Sequence, residues 1–407
     1  MRSIDAEVSQ RPGSKAALLM VGLLSIFLGV AARAEEIPKQ PPAGPEEKPV
    51  TKGSTPEGET AVKPAGKELE FKLGGFVQAQ GEFGDSGDSR FSTDHNRFYL
   101  RRARLTVWGR FQEEVEFRLE ADFGANSLAE TNNLRAQVTD GFLDWRRYSF
   151  ARVRFGQFKT PFGYEQLEGD TKLFTIERTL VNDRLTVGRQ IGMQVSGDFF
   201  EKRLSYAVGA FNGTGVNTNA NDDDRFLVGM RVAGVPWRGE VGGEEARWAV
   251  GLDGYTSGDV SLPSQPSEFG FDSAPTTAGV DNVFSGDRRG AGFDSQLHAG
   301  PFDLWVEVLK ARFEPTDDLP FDRFDAQGWY AQGACFLVPR KLQLVLKYDT
   351  FDPDDRIDGD STDTWTLGVN YFVKGDDLKL ALNYLRDDPK GPADAQGKLL
   401  LRFQVIF

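Results

Sequence analysis

From residue 70 to the C-terminus the chain repeats one pattern sixteen times: a stretch of alternating apolar and polar side chains, then a connection that is short or long in turn. Candidate strands lie at 70–83, 96–111, 113–123, 136–148, 151–158, 189–199, 203–211 and 225–237. Eight more lie at 246–256, 290–300, 302–313, 327–337, 341–351, 364–374, 378–386 and 398–407. Short turns such as Gln112-Glu113, Ser149-Phe150, Gly300-Pro301 and Pro339-Arg340 join them at one end, with a somewhat longer turn expected near Arg238 to Glu245. Long loops at 84–95, 124–135, 159–188, 212–224, 257–289, 314–326, 352–363 and 387–397 join them at the other. A period of two makes one face apolar and the other polar. A soluble sandwich has no reason to keep all its long loops at one end through eight hairpins, whereas an up-and-down barrel in an outer membrane does. The expected fold is all-β, a 16-stranded antiparallel transmembrane β-barrel with long extracellular loops and both termini on the periplasmic side.

The last strand supports closure. Leu399, Leu401, Phe403, Val405 and Phe407 alternate with Leu400, Arg402, Gln404 and Ile406, and the pattern ends flush at an aromatic carboxyl-terminal residue. In hydrocarbon an open sheet edge leaves backbone groups unsatisfied, so the last strand must find the first. Parity then assigns faces. Ala103, Leu105 and Val107 oppose Arg102 and Arg104; Val115, Phe117, Leu119, Ala121 and Phe123 oppose Glu116, Arg118, Glu120 and Asp122. Val153 and Phe155 oppose Arg152 and Arg154, Val228, Met230 and Val232 oppose Arg231, and Leu344, Leu346 and Tyr348 oppose Lys347 and Asp349. In a sixteen-stranded barrel the polar face lines an aqueous lumen and the apolar face meets lipid. Trp108, Trp145, Tyr348, Tyr371 and Tyr384, near strand ends, suit aromatic girdles at the two interfaces.

Composition excludes several function classes. The net charge of -13 and the concentration of acids in loops, as at Asp222-Asp223-Asp224, argue against nucleic-acid binding. The single cysteine, Cys335, rules out an intramolecular disulfide, and two separated histidines, His95 and His298, form no metal-binding motif. No nucleophile elbow or phosphate-binding glycine loop is present. A barrel enzyme would need a serine beside a histidine such as His298, and nothing places one there. No cofactor is expected.

Residues 1–34 read as a signal peptide: Arg11 and Lys15 precede an apolar stretch from Ala16 to Ala32, and Ala32-Arg33-Ala34 offers a cleavage site. Residues 35–68 are rich in Pro, Glu and Lys, with almost no large apolar side chains, and read as a disordered or extended periplasmic segment. The barrel is expected over 69–407. Within it, the third long loop is unusual. It carries Phe162, Tyr164, Leu167, Leu173, Phe174, Ile176 and Leu180, more apolar residues than an external loop holds unless they pack somewhere. An inward fold, narrowing the lumen, is expected for it.

Three segments carry a family resemblance: Phe98-Tyr99-Leu100-Arg101-Arg102-Ala103-Arg104-Leu105, Gly156-Gln157-Phe158-Lys159-Thr160-Pro161-Phe162-Gly163, and Gly188-Arg189-Gln190-Ile191-Gly192. Together and in this order they resemble the phosphate-selective porin O and P family, over about residues 70–407. The resemblance implies a homotrimer in the outer membrane of a Gram-negative-type envelope, in contact with lipid and lipopolysaccharide. It also implies a constriction where arginines and a lysine bind and relay small anions such as phosphate. The candidate path is Arg102, Arg104, Arg118, Arg152, Arg154, Lys159, Arg231 and Lys347. Lumenal acids are interleaved with these bases, namely Glu116, Glu120, Asp122, Asp253, Glu307 and Asp349. The expected function is passive diffusion of small anions through an arginine-lined constriction, with phosphate or polyphosphate as the candidate solutes. A weakly selective general diffusion porin and a structural envelope-tethering barrel stay open as alternatives.

Overall fold

The computed structural model describes residues 60–62, 69–86, 88, 90–91, 96–124, 134–221, 223–263, 283–316, 322–391 and 394–407. The expected signal peptide lies outside these residues, as does the expected periplasmic segment apart from Thr60–Val62. That three-residue strand, β1, pairs antiparallel with Phe71 to Leu73.

Sixteen further strands form the barrel. They are β2 (Leu69–Gly84), β3 (Arg97–Phe111), β4 (Val115–Asp122), β5 (Gln137–Tyr148), β6 (Ala151–Lys159), β7 (Arg189–Phe199), β8 (Leu204–Phe211) and β9 (Leu227–Val241). The second half comprises β10 (Glu244–Pro263), β11 (Val283–Ala299), β12 (Phe302–Pro315), β13 (Phe324–Val338), β14 (Leu342–Asp352), β15 (Thr362–Lys374), β16 (Leu378–Pro389) and β17 (Gln396–Ile406). Every strand pairs antiparallel with its sequence neighbours, and β17 pairs with β2 from Ile406↔Phe76 to Lys398↔Gly84. The carboxyl-terminal residue completes the seam: Gly75 N–H donates to Phe407 O at 2.9 Å and Phe407 N–H donates to Gly75 O at 3.0 Å. Closure leaves no edge in the membrane.

Strand parity is visible in burial. Leu344, Leu346, Val228, Met230, Val232 and Phe155 are exposed on the outer face, while Gln343, Lys347, Asp349, Asn370 and Asn383 are buried on the inner one. For a membrane barrel the exposed apolar face is the lipid-facing one. Trp329, Tyr348 and Trp365 form an outward aromatic run across β13–β15, with ring centroids 5.2 and 4.8 Å apart. Trp145, Tyr148 and Phe150 form another at the opposite end of the barrel.

Two connections differ from expectation. The β9–β10 hairpin is tight, turning on Gly242 and Gly243 at φ +62° and +83°, with Val241 paired to Glu244. Positive φ at both central residues is the geometry whose twist suits a two-residue hairpin, and glycine adopts it without strain. Strands β10 and β11 also continue pairing to Pro263↔Val283, beyond the ends that alternation suggested. Gly258-Asp259 and Gly286-Asp287 interrupt the alternation there, so the period-two signal fades before the pairing does.

Register irregularities redirect side chains. Between β2 and β3 the pairing jumps from Gln78↔Arg102 to Ala79↔Leu100, so Arg101 is an extra residue on β3. A bulge lets two successive side chains point the same way. Arg101 and Arg102 are both buried inside the barrel, which simple alternation forbids.

Candidate lumenal constriction

The segment 160–188 between β6 and β7 runs inside the barrel. It contains two short helices, α1 (Tyr164–Leu167) and α2 (Leu180–Leu185). Helix α2 is capped by Thr179, whose Oγ1 accepts from Asn182 N–H at 3.1 Å. Its apolar residues are what the sequence says must pack somewhere. Phe162, Leu180, Val181, Leu185 and Val187 are buried against inward-facing Phe211, Leu227, Leu309, Phe313, Phe324 and Phe351. Phe162 meets the Tyr255 ring edge-on at 4.8 Å. Burial of this many apolar groups, at about 1.5–3 kcal/mol per large side chain, is enough to hold the loop off the solvent.

Polar contacts then fix its course along one wall. Gly163 N–H donates to Asp253 on β10 at 3.2 Å, and Tyr164 and Glu165 N–H donate to the Glu307 carboxylate on β12 at 2.6 and 3.2 Å. Asn370 on β15 donates to Phe174 O at 2.7 Å, and Asn383 on β16 accepts from Ile176 N–H at 2.6 Å. Lys379 on β16 and Gln404 on β17 both donate to Thr171 O, and Gln78 on β2 donates to Asp170 O at 3.1 Å. The polar anchors of the loop therefore lie on β10, β12, β14–β17, β2 and β3, beside the apolar seat on β8–β14.

The candidate bases divide into two groups. Four hold the loop. Arg102 lies 3.5 Å from Asp170 and 3.8 Å from Glu177, and it donates to Gln78 at 3.0 Å. Arg104 binds Asp122 at 2.8 Å, Glu120 at 3.3 Å and Asp170 at 2.6 Å. Lys159 donates to the carbonyls of Gln166 and Glu168 at 2.6 and 2.8 Å. Lys347 donates to Thr175 Oγ1 at 3.2 Å and Glu177 O at 3.3 Å. The side chains of Arg102 and Arg104 are only 3% exposed.

The other four stand on β4, β6 and β9 and keep more contact with solvent: Arg118 at 11%, Arg152 at 14%, Arg154 at 31% and Arg231 at 11%. Each has a carboxylate. Arg118 meets Glu120 at 2.6 Å and Asp140 at 3.3 Å, Arg152 meets Asp198 at 3.0 Å, and Arg154 meets Asp144 at 2.7 Å. Arg231 lies between Asp253 and Asp294, 2.6 Å from the latter. The Arg154 guanidinium also lies 4.2 Å from the centroid of Phe142, whose ring faces inward.

Three arginines outside the candidate set meet the loop carboxylates Asp170 and Glu177. Arg101 chelates Glu177 through Nε and Nη2 at 2.9 and 3.1 Å. Its position inside depends on the bulge, which leaves no local sequence signal. Arg402 on β17 bonds Glu177, Ile176 O and Gln80 Oε1. Parity alone places Arg402 on the polar face, so that signal was present. Arg178, from the loop itself, binds Asp170 at 2.6 Å.

The loop carboxylates sit among these guanidiniums. Burial by itself would raise the Asp170 carboxyl, but Arg102, Arg178 and Arg104 hold it well below the usual carboxylate range. Burial likewise opposes ionisation of Glu177, and Arg101, Arg402 and Arg102 overcome it and push its pKa down. Among the described residues no group of histidine, cysteine or carboxylate side chains is arranged to hold a metal ion.

The same architecture recurs in known proteins. The profile of the phosphate-selective porin O and P family matches residues 71–261 and 271–407. Porin O of Pseudomonas aeruginosa is 24% identical over 404 residues, covering 84% of this chain and 89% of that protein. Among solved structures, OmpF of Salmonella typhi, in complex with daunomycin, superposes with a TM-score of 0.58 at 12% identity, over 86% of this chain and all of that one. OmpT of Vibrio cholerae, solved in a trimer form, gives 0.53 at 13% identity over 84% of this chain. With a closed sixteen-stranded barrel, a lipid-facing apolar exterior and a family profile covering most of its length, the chain belongs to the phosphate-selective porin O and P family and is an outer-membrane porin.

Proposed function

We propose that this porin is a passive diffusion channel for small anions, phosphate among them, with a modest rather than strong preference. The observation that carries this reading is the division of the bases. Arg118, Arg152, Arg154 and Arg231 retain solvent contact on β4, β6 and β9, and their carboxylate partners stand on the barrel wall rather than on the loop. Partly desolvated guanidiniums attract oxyanions and replace part of their hydration, and flux requires that the binding stay weak. The carboxylate beside each of the four keeps the local field small, which is why the preference is modest. Arg102, Arg104, Lys159 and Lys347 serve in this reading as anchors of the loop.

The working protein is a homotrimer in this proposal, supported by the trimer form of the Vibrio cholerae relative in fold. Its apolar exterior contacts outer-membrane lipid and lipopolysaccharide. Residues 1–34 are proposed as a cleaved signal, 35–68 as a periplasmic segment dispensable for conduction, and 69–407 as the channel.

The test is the zero-current potential in a planar bilayer under a KCl gradient. The protein should show a chloride-favouring potential, and Arg154→Gln should move it toward the cation side. A cation-favouring potential that Arg154→Gln leaves unchanged would contradict the anion preference and leave a general diffusion porin.

A further inference from the structure

The wall arginines around Arg102 would suit a phosphate, yet a part of the chain already occupies their focus. Glu177 offers both oxygens to the Arg101 fork, and its Oε1 is shared with Arg402. Asp170 spans Arg104 and Arg178, with its Oδ1 3.5 Å from Arg102. A carboxylate held by several guanidinium forks has the donor geometry of a bound phosphate. Five guanidiniums converge here: Arg101, Arg102, Arg104, Arg178 and Arg402. The barrel wall itself supplies Glu120 and Asp122, and both serve Arg104. The carboxylates on Arg101, Arg102 and Arg402 come from the loop. Even so the donors are not saturated, because Arg101 Nη1 is buried without an acceptor.

We propose that Asp170 and Glu177 are tethered counter-anions. They fill an oxyanion site built by Arg101, Arg102 and Arg402 and so deny it to permeant phosphate, and their removal exposes a high-affinity phosphate site in this porin. This assigns the two loop carboxylates a specificity-determining role, and it rests on the reading of the protein as a channel for small anions. It also gives a physical reason for weak selectivity in a lumen rich in arginine: the strongest cluster is neutralised from within, and traffic is left to the weaker track past Arg154.

The experiment is block of KCl current by added inorganic phosphate, in the full-length porin reconstituted in planar bilayers. The double variant Asp170→Asn, Glu177→Gln should be half-blocked at a phosphate concentration lower than that for the unaltered protein by roughly tenfold or more, as expected when a multidentate oxyanion site is vacated. Equal half-block concentrations would overturn the proposal. Heat-modifiable electrophoretic mobility reports whether the double variant forms the barrel. If it does not, the single variant Glu177→Gln, which leaves Asp170 on Arg104 and Arg178, gives an independent reading. It should also lower the half-block concentration, by less than the double variant, because it frees the Arg101 fork and Arg402 alone. A half-block concentration equal to or above that of the unaltered protein would contradict the masking. Failure of the anion preference itself is distinct, because it shows in the zero-current potential of the unaltered protein before any phosphate is added.

Discussion

A single extra residue on β3 changes the chemistry of the lumen. Strict alternation would send Arg101 toward lipid, where a charge costs several kcal/mol. The register jump opposite Gln78 and Ala79 turns it inward, where it completes the grip on Glu177. Alternation therefore found Arg102 and Arg104 but not the side chain between Leu100 and Arg102, which holds Glu177 through both Nε and Nη2. Arg402 lay on the expected polar face and needed only to be counted. The partners of these bases were beyond the reach of sequence, since Asp170 and Glu177 arrive from a loop whose path depends on packing from β8 round to β3. The ionic contacts predict a pH dependence. Both loop carboxyls are held below their ordinary range, so their contribution to seating the loop is full above that range and is lost only as pH falls through the lowered values. The difference in zero-current potential between Glu177→Gln and the unaltered protein should accordingly be constant from about pH 8 to about pH 5. A difference that collapses by the lower end would mean that Glu177 is protonated there and is not held by its arginines.

At the scale of elements, the loop 160–188 is the part that occupies the interior of a wide barrel. Its apolar content was legible as a demand for a packing partner, and the structure supplies that partner in an unusual place, an apolar patch on the inner face of β8–β14. Glycine helps. A Cβ on Gly328 of β13 would stand 2.7 Å from Val181 Cγ2, so this position lets α2 lie close to the wall. Val181→Asp would place an unpaired carboxylate in that contact, at a cost of several kcal/mol, more than the local seating of a two-turn segment can absorb. The loop should then lift, and single-channel conductance should rise with larger open-state fluctuations while the barrel stays folded. Unchanged conductance with a correctly folded barrel would mean that α2 does not control the cross-section. Strand ends were less legible than strand existence, as β9–β11 illustrate. Where glycine and aspartate interrupt the alternation near a rim, as at Gly258-Asp259 and Gly286-Asp287, pairing persists without an alternating signal.

For the whole molecule, closure through Phe407 and Gly75 converts sixteen marginal strands into one edge-free surface, and the seated loop divides its interior into two unlike walls. One wall, from β8 round to β3, is covered by the loop and carries the neutralised arginine cluster, with Arg231 of β9 5.9 Å from the Tyr164 ring. The other, from β4 to β7, carries the partly exposed Arg118, Arg152 and Arg154. This division was only half foreseeable. Parity named the lumenal side chains, but which of them water reaches depends on where the loop comes to rest. Thiol accessibility tests the division directly. With Cys335 replaced by serine, single cysteines at Arg154 and Ser196 report on the β6–β7 wall, and cysteines at Thr366 and Asn370 report on β15 behind the loop. Each variant would be treated with a negatively charged methanethiosulfonate reagent in the reconstituted porin. The first pair should react faster than the second by at least an order of magnitude. Equal rates at the two walls would show that the lumen behind the loop is open, and would contradict both the passage along β4–β7 and the masked arginine cluster.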